Sequence, residues 1–381
     1  MSAGPEPDVL GTIIDDIVEP AALDVDTDAA FPRAAITSLG EHGLLGLLSA
    51  TAVGGQGGDL ADAATVVRRL AASCGSTAMV VAMHYSAVAI IEQEGADDVR
   101  RDIAAGRHLT TLAFSETGSR SHFWAPLGTA GPDGDHVVLD ASKSWVTSAG
   151  EADSYVWTSR PTGDGDGDGD GDGATLWLVP ATTDGLKVAG GFDGLGFRGN
   201  ASSPIEANGA RLPVTARLGP DGGGLDLALG VVLPVFQILN ASCSLGLMDA
   251  AIDKVIGHVT TARFEHLDET LADQPVTRQH VARMKNLADA AGALVDDAVV
   301  ALTTGRDDAP LRMLQSKAVA GETALTVLDL AMRVGGGAAF RKDIGIERHF
   351  RDARASAVMA PTVDALQDFT GRALCGLPLF G

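Results

Sequence analysis

The sequence predicts an α+β protein, mainly α, in which a helical domain, an antiparallel β domain and a four-helix bundle follow one another. Two observations carry this. Apolar residues recur at helical spacing up to about Arg107, and again from Asp226 onward. Between them, short β-rich runs are separated by Gly, Pro and Asp clusters. A chain of 381 residues is too long for one simple core, and the changes of pattern divide it into 1–107, 108–222 and 223–381.

In the first segment, Asp59-Leu-Ala-Asp-Ala-Ala-Thr-Val-Val-Arg-Arg-Leu-Ala-Ala repeats apolar residues at helical spacing, and a second apolar helix is expected from Ser76 through Ile91. Gly54-Gly-Gln-Gly-Gly before them is a turn cluster. In the second segment the strand candidates are His136-Val-Val-Leu, Ser144-Trp-Val-Thr, Ser154-Tyr-Val-Trp-Thr and Thr175-Leu-Trp-Leu-Val-Pro, as in a small antiparallel barrel or sandwich. The tract from Gly163 to Gly173 alternates Gly and Asp; it lacks the terminal Glu and flanking helices of a calcium loop and reads as a self-repelling hairpin loop. In the third segment Val281, Met284, Leu287, Ala288, Ala291, Leu294, Val295, Ala298, Val299 and Leu302 form one stripe, and Leu311 to Val334 continues in the same manner.

Composition narrows the function. Hydrophobic residues make up 45% of the chain and charged residues 20%, which suits a folded protein. The formal net charge of −22 disfavours nucleic-acid binding, although five of the acids sit in the one Gly/Asp loop. Cys74, Cys243 and Cys375 are too few and too widely spaced for a disulfide framework or a zinc knuckle, which suits a reducing compartment. The acidic N-terminus lacks an apolar signal core. The apolar stretch Gly230 to Met248 holds Pro234, Gln237, Asn240, Ser242 and Ser244, suited to a buried helix and costly in hydrocarbon. A soluble, cytoplasmic protein with no membrane partner is expected.

Motifs exclude more. Gly194-Leu-Gly-Phe-Arg-Gly199 satisfies GxGxxG, but Asn200-Ala-Ser-Ser-Pro follows where a dinucleotide site needs a helix, so it is read as a turn. No HExxH, His/Cys pair, GxSxG or Walker A sequence is present, so metal catalysis, hydrolase and NTPase chemistry have no support.

Four segments together resemble the acyl-CoA dehydrogenase superfamily over nearly the whole chain. Gly43-Leu-Leu-Gly-Leu, the glycine cluster at 54–58 and the two helices after it are similar to that family's N-terminal domain. Ala113-Phe-Ser-Glu-Thr-Gly-Ser-Arg-Ser-His122 looks like its T-E-P-G-x-G-S-D loop, with Arg120 in place of a glycine and His122 in place of the Asp. By resemblance Phe114, Ser115 and Ser121 contact FAD, Ser115 at the flavin pyrimidine edge and Ser121 on the pyrophosphate. Lys143-Ser-Trp-Val-Thr-Ser-Ala-Gly150 is similar to K-x-W-I-T-N-G. There Trp145 packs on the isoalloxazine and Thr147 bonds N5, and two residues on one strand two apart face one side. A hydrogen-bond donor at N5 stabilises the charge that arrives with hydride. Arg333-Val-Gly-Gly-Gly-Ala-Ala-Phe340 and Ile346-Glu-Arg-His-Phe-Arg-Asp-Ala-Arg354 look like Q-x-x-G-G-x-G-[FY] and V-E-R-x-x-R-D-A-K. Gly336, Gly337 and Arg333, where the family has Gln, would then meet a neighbouring protomer's FAD, with Arg263 on its pyrophosphate. The resemblance implies a homodimer or homotetramer, or a heteromer with a related subunit.

The family removes the α-proton of an acyl thioester with a glutamate while hydride leaves the β-carbon. The resemblance places that residue in the turn that here reads Val358-Met-Ala-Pro-Thr362, at Ala360, with Thr362 as a further cofactor contact. Members with the base on an earlier helix would carry it at Phe236, followed by Gln237 where an arginine meets the CoA substrate. Neither position holds a base. Three readings stand: an oxidoreductase on a CoA- or carrier-bound thioester with a displaced or absent base, a flavin monooxygenase of the same fold, or a degenerate subunit of a heteromeric dehydrogenase. His84, Tyr85 and His122 are candidate bases because their segments border the pocket in the family; the catalytic residue itself is left open. No metal is expected.

Overall fold

The computed structural model describes residues 8–119, 122–163 and 173–379. The chain begins with six helices: α1 (Val9–Ile13), α2 (Glu19–Thr27), α3 (Arg33–Glu41), α4 (Leu60–Ser73), α5 (Gly75–Glu94) and α6 (Asp97–Ala104). Asp59 starts α4 by accepting from the amides of Ala61 and Asp62, and the Asp62 carboxylate returns to the Asp59 amide. This capping box satisfies donors that the first turn leaves free. Helix α5 is apolar on nearly every face and is buried accordingly.

Two four-stranded sheets follow, built from β1 (Thr110–Ala113), β2 (Thr129–Asp133), β3 (His136–Val146), β4 (Ser154–Ser159), β5 (Thr175–Pro180), β6 (Leu186–Val188), β7 (Ser203–Pro213) and β8 (Arg217–Leu218). One sheet has the order β1-β4-β5-β8 and the other β2-β3-β7-β6. The expectation of an antiparallel domain needs one correction, because β1 pairs with β4 in parallel. A parallel neighbour needs a crossover connection, and the β2–β3 hairpin of the second sheet fills it. The Gly/Asp tract lies mostly outside the described residues. At its base the Asp221 carboxylate accepts from the Thr162 amide at 3.1 Å and from the hydroxyls of Thr162 and Thr175, clamping both stems together.

Helices then resume as α7 (Gly224–Leu227), a π-turn over Ala228–Val232, and α8 (Leu233–Thr261). The small hairpin of β9 (Arg263–Phe264) and β10 (Glu269–Thr270) leads into α9 (Pro275–Thr304), α10 (Ala309–Ala339), α11 (Ile346–Val358) and α12 (Val363–Leu374). Helices α8 to α11 form the bundle, with α12 laid along α10. On α9 Met284, Ala288, Ala291, Val295, Ala298 and Val299 are buried, and the flanking members of the expected stripe are half-buried. Two helical stretches, Gly75–Glu94 and Gly224–Thr261, are long and apolar enough to cross a membrane, and both lie mostly inside the fold. Helix α10 kinks at Gly336 (φ 53°, ψ −135°), a conformation essentially reserved for glycine.

Candidate active site

A cavity of about 950 Å³ opens between the β domain and the bundle, at the large end of small-molecule sites. Its β wall comes from Phe114, Ser115, Ser144, Trp145 and Thr147, and its helical wall from Ala228, Val232, Leu233, Phe236 and the turn Val358 to Pro361. The spacing of residues 228, 232 and 236 sets three small or apolar side chains on one face of the π-turn and α8.

The β wall is shaped by a break in the strand. The pairing of β3 with β7 shifts between Lys143 and Val146, so Ser144 and Trp145 together oppose only Pro204. Trp145 (φ 57°) and Ser148 (φ 60°) both sit in the left-handed region, unusual for bulky or non-glycine residues. The expected simple alternation from Trp145 to Thr147 therefore fails as geometry. Both nonetheless line the cavity, because the bulge turns Trp145 out, 69% exposed with its ring edge-on to Phe192, while Thr147 stays buried. The Thr147 hydroxyl shares a hydrogen bond of 3.1 Å with Ser202. Ser202 is held in turn by its amide donating to the Asn200 side chain at 3.0 Å.

Beneath this wall lies a buried ion pair. Lys143 Nζ donates to Glu116 Oε1 at 2.6 Å, and to the carbonyl and hydroxyl of Thr158, both at 2.7 Å. It also stands 5.0 Å over the Trp157 ring. Glu116 additionally accepts from the amides of Leu127 and Gly128. Burial pushes the Lys143 ammonium down to about 8, with the Glu116 charge opposing that shift. Although Glu116 reaches the cavity lining, its oxygens are committed to this network.

The loop containing the false fingerprint is part of the site. Residues Gly194 to Phe197 line the cavity, and the stretch runs into a 3₁₀ turn (Arg198–Asn200) rather than the α-helix a dinucleotide would need. A side chain at Gly196 would come within 2.5 Å of the Arg351 carbonyl, so the glycine serves close approach to α11. Asp352 on α11 holds the loop by accepting from the Phe197 amide at 2.6 Å, and burial raises its carboxyl to about 7. Arg351 is tied to Asp26 and Glu347.

The structure brings together Phe114, Ser115, Trp145, Thr147, Phe236 and Ala360. Several other candidates lie elsewhere. Tyr85 is buried with its hydroxyl donating to the Leu44 carbonyl at 2.6 Å, and His84 is wedged between the Leu45 carbonyl at 3.0 Å and the Thr110 amide at 3.2 Å. Burial lowers His84 to about 4 and raises Tyr85. Their segment borders the cavity through Met83, but His84 and Tyr85 themselves are core residues outside the lining, which corrects their placing as candidate bases. His122 is exposed, edge-on to Trp124 beside a separate smaller hollow with Asp368 and Arg372. Gln237 is fully buried next to Phe236, outside the lining, and neither polar side-chain atom has a hydrogen-bond partner among the described residues. This corrects the expectation of a substrate contact there, since on α8 the next residue turns about 100° away. Thr362 caps α12 by accepting from the Ala365 amide at 3.2 Å. Arg263 is exposed in its hairpin and bonds Asp268. Arg333, Gly336 and Gly337 are exposed on α10, with open space around both glycines. Ser121 and Arg120 lie outside the described residues. Sequence reasoning missed Phe192, Asn200, Ser202 and Met83, which also line the cavity; a Gly/Ser-rich turn between two strands was the only signal for the first three.

Family models for the acyl-CoA dehydrogenase N-terminal, middle and C-terminal domains match residues 8–106, 111–210 and 222–373. The chain belongs to the acyl-CoA dehydrogenase family. It is 28% identical over 353 residues to the mitochondrial short-chain specific acyl-CoA dehydrogenase of Bos taurus, covering 90% of this chain and 82% of the relative. The fold of this family member superimposes on butyryl-CoA dehydrogenase from Megasphaera elsdenii with a TM-score of 0.88 at 20% identity, covering 98% of this chain and 100% of the other. A prolyl acyl carrier protein oxidase gives 0.87 at 18% identity, with the same coverage. This acyl-CoA dehydrogenase family member is a flavoprotein oxidoreductase whose cofactor is FAD. The cavity is large enough for a flavin. It offers an exposed indole for stacking and a row of hydroxyls (Ser115, Ser144, Thr147 and Ser202) for the polar edge.

Proposed function

We propose that this protein is an FAD-dependent oxidoreductase that acts on an acyl thioester, bound to CoA or to a carrier protein, without a carboxylate base at either family position. One observation carries the reading: the cavity faces Trp145 and Thr147 across from Phe236 and Ala360. Bound FAD supplies a two-electron hydride acceptor. Phe114, Ser115, Trp145 and Thr147 hold it from this chain. Arg263, Arg333, Gly336 and Gly337 are presented to the FAD of a second protomer, in keeping with the exposure of all four and, on the α10 side, of Phe340, which is itself 81% exposed. The indole keeps water from one face of the site, and the Thr147–Ser202 pair puts two hydroxyls on its lining. Ala228, Val232, Leu233 and Phe236 form an apolar bed for the acyl chain. Among the described lining residues the one carboxylate, Glu116, is held by Lys143, so the α-proton passes to water. Oxidation is then restricted to thioesters whose α-hydrogen is already acidic. The relative named as a carrier protein oxidase supports including carrier-bound substrates.

The same lack of a free acid favours a second reading, oxygenation by reduced flavin, which needs no α-proton base. Anaerobic mixing with CoA- and carrier-bound thioesters, followed by admission of oxygen to the photoreduced protein, separates the two. Bleaching of the flavin by a thioester supports the first reading. A lasting flavin–oxygen adduct without thioester bleaching overturns it in favour of the second. Purified chain that binds no flavin removes both and points to a heteromeric partner.

A further inference from the structure

Lys317, on the first third of α10, is completely buried. Its Nζ donates to the carbonyls of Pro361 at 2.6 Å, Met359 at 3.0 Å and Ser356 at 3.3 Å. Among the described residues it makes no ion pair. An ammonium withdrawn from water with no counter-ion is among the costliest groups a core can hold, and burial pushes Lys317 down to about 7. The three carbonyls give each of its three hydrogens one acceptor.

Those carbonyls belong to the segment whose Val358, Met359, Ala360 and Pro361 form the helical wall of the cavity. Other ties on this segment are sparse. The Met359 amide closes α11 on the Ala355 carbonyl at 2.9 Å, and the Asn240 amide reaches the Met359 sulfur at 3.6 Å. Among the described residues, Lys317 is the one side chain that hydrogen-bonds the backbone of residues 359–361. A neutral residue of the same volume would fill the space but would leave three buried carbonyls without these donors.

We propose that Lys317 is a positioning residue: by gathering the Ser356, Met359 and Pro361 carbonyls it fixes the wall that faces Trp145, and so sets where flavin and substrate sit. The inference rests on the proposed function in taking this cavity as the flavin site.

The test compares FAD affinity, visible absorption and visible circular dichroism of full-length wild type, K317M and K317Q, well below their melting temperatures. A core variant in α9, M284A, serves as a control that loses stability away from the cavity. K317M is expected to raise the FAD Kd about tenfold and to change the shape of the flavin bands, because a wall displaced by about 1 Å is costly at a site. K317Q keeps two donors and is expected to show a smaller change of the same kind; it carries the test where K317M does not fold. M284A should lower Tm with wild-type Kd and spectrum. Lysine variants that lose Tm but keep wild-type Kd and bands would overturn the proposal and leave Lys317 a stability residue. Wild type that binds no flavin would instead sink the proposed function and this inference with it.

Discussion

Removing Lys143 tests the site's foundation most directly. The side chain is wholly buried and its ammonium gives hydrogen bonds to Glu116, at 2.6 Å, and to two Thr158 oxygens. K143M keeps most of the apolar stem but leaves the Glu116 carboxylate, 5% exposed, with only the amides of Leu127 and Gly128. Breaking a buried pair from one side costs about 3–5 kcal/mol, since the remaining charge is unpaired. E116Q alone should cost less, because an amide oxygen still accepts from the same backbone donors and the lysine keeps Thr158. The double variant should then be more stable than the sum of the single effects by about 2 kcal/mol, as for groups in direct contact. Urea unfolding followed by intrinsic fluorescence measures this, with Trp157 and Trp177 buried on neighbouring strands. A K143M loss under 1 kcal/mol, or strict additivity in the cycle, would refute the claim that this pair supports the β wall.

Three further outcomes follow from the same geometry. W145A should change folding stability by less than about 0.5 kcal/mol, as expected for an exposed side chain, yet weaken FAD binding roughly threefold to tenfold through lost stacking; equal FAD affinity by equilibrium dialysis would remove Trp145 from the flavin contacts. Tyr85→Phe should lower Tm through the lost bond to the Leu44 carbonyl, worth about 1 kcal/mol, while leaving flavin reduction rates intact; the reverse pattern would restore it as a candidate base. Asp352 is raised from 3.8 to about 7 by burial, so the native state keeps a proton that the unfolded chain has released. That contribution is complete below about pH 4 and is lost as pH rises through 7. D352N does not ionise, so its stability relative to wild type should improve by about 2–3 kcal/mol between pH 5 and pH 8. A flat or opposite difference in urea midpoints would show that Arg348 and Arg351 outweigh the burial.

Periodicity carried much of this architecture, because helices and strands bury their apolar faces at different spacings. The α4 start at Asp59 and the α9 stripe around Ala288 and Val295 were readable from side chains that act locally. What was not readable depends on contacts distant in sequence. The parallel pairing of Thr110 with Ser154 spans an intervening hairpin. The bulge at Ser144 and Trp145 is visible only against Pro204 of the partner strand. Lys317 and Asp352 look like ordinary charges on amphipathic helices, and only the turn and the loop packed over them reveal their burial. The glycines of 194–199 matched a phosphate-binding pattern for a different physical reason, since Gly196 permits backbone contact with α11. His84 and Tyr85 show the converse: adjacent polar residues on a core helix are satisfied by carbonyls and reach no cavity.

The strained β wall bears on the choice between a loaded flavoprotein and a scaffold subunit. Trp145 and Ser148 each hold a left-handed backbone, and such residues cost about 1–3 kcal/mol apiece. The indole regains little of that, because it stands 69% exposed. Beneath it the fold also carries a buried ion pair, an arrangement that commonly contributes less stability than apolar packing would. A chain whose role ends at assembly gains nothing from these features, and a regular strand with an apolar pair would serve it better. They make sense together when a planar cofactor covers the indole and meets the Thr147 hydroxyl. The opposite wall carries Ala360 and Phe236. Departures from the family motifs also fall at Arg120, His122, Gln237 and Arg333, but the cavity keeps Trp145 and Thr147, which favours a retained flavin over a lost one.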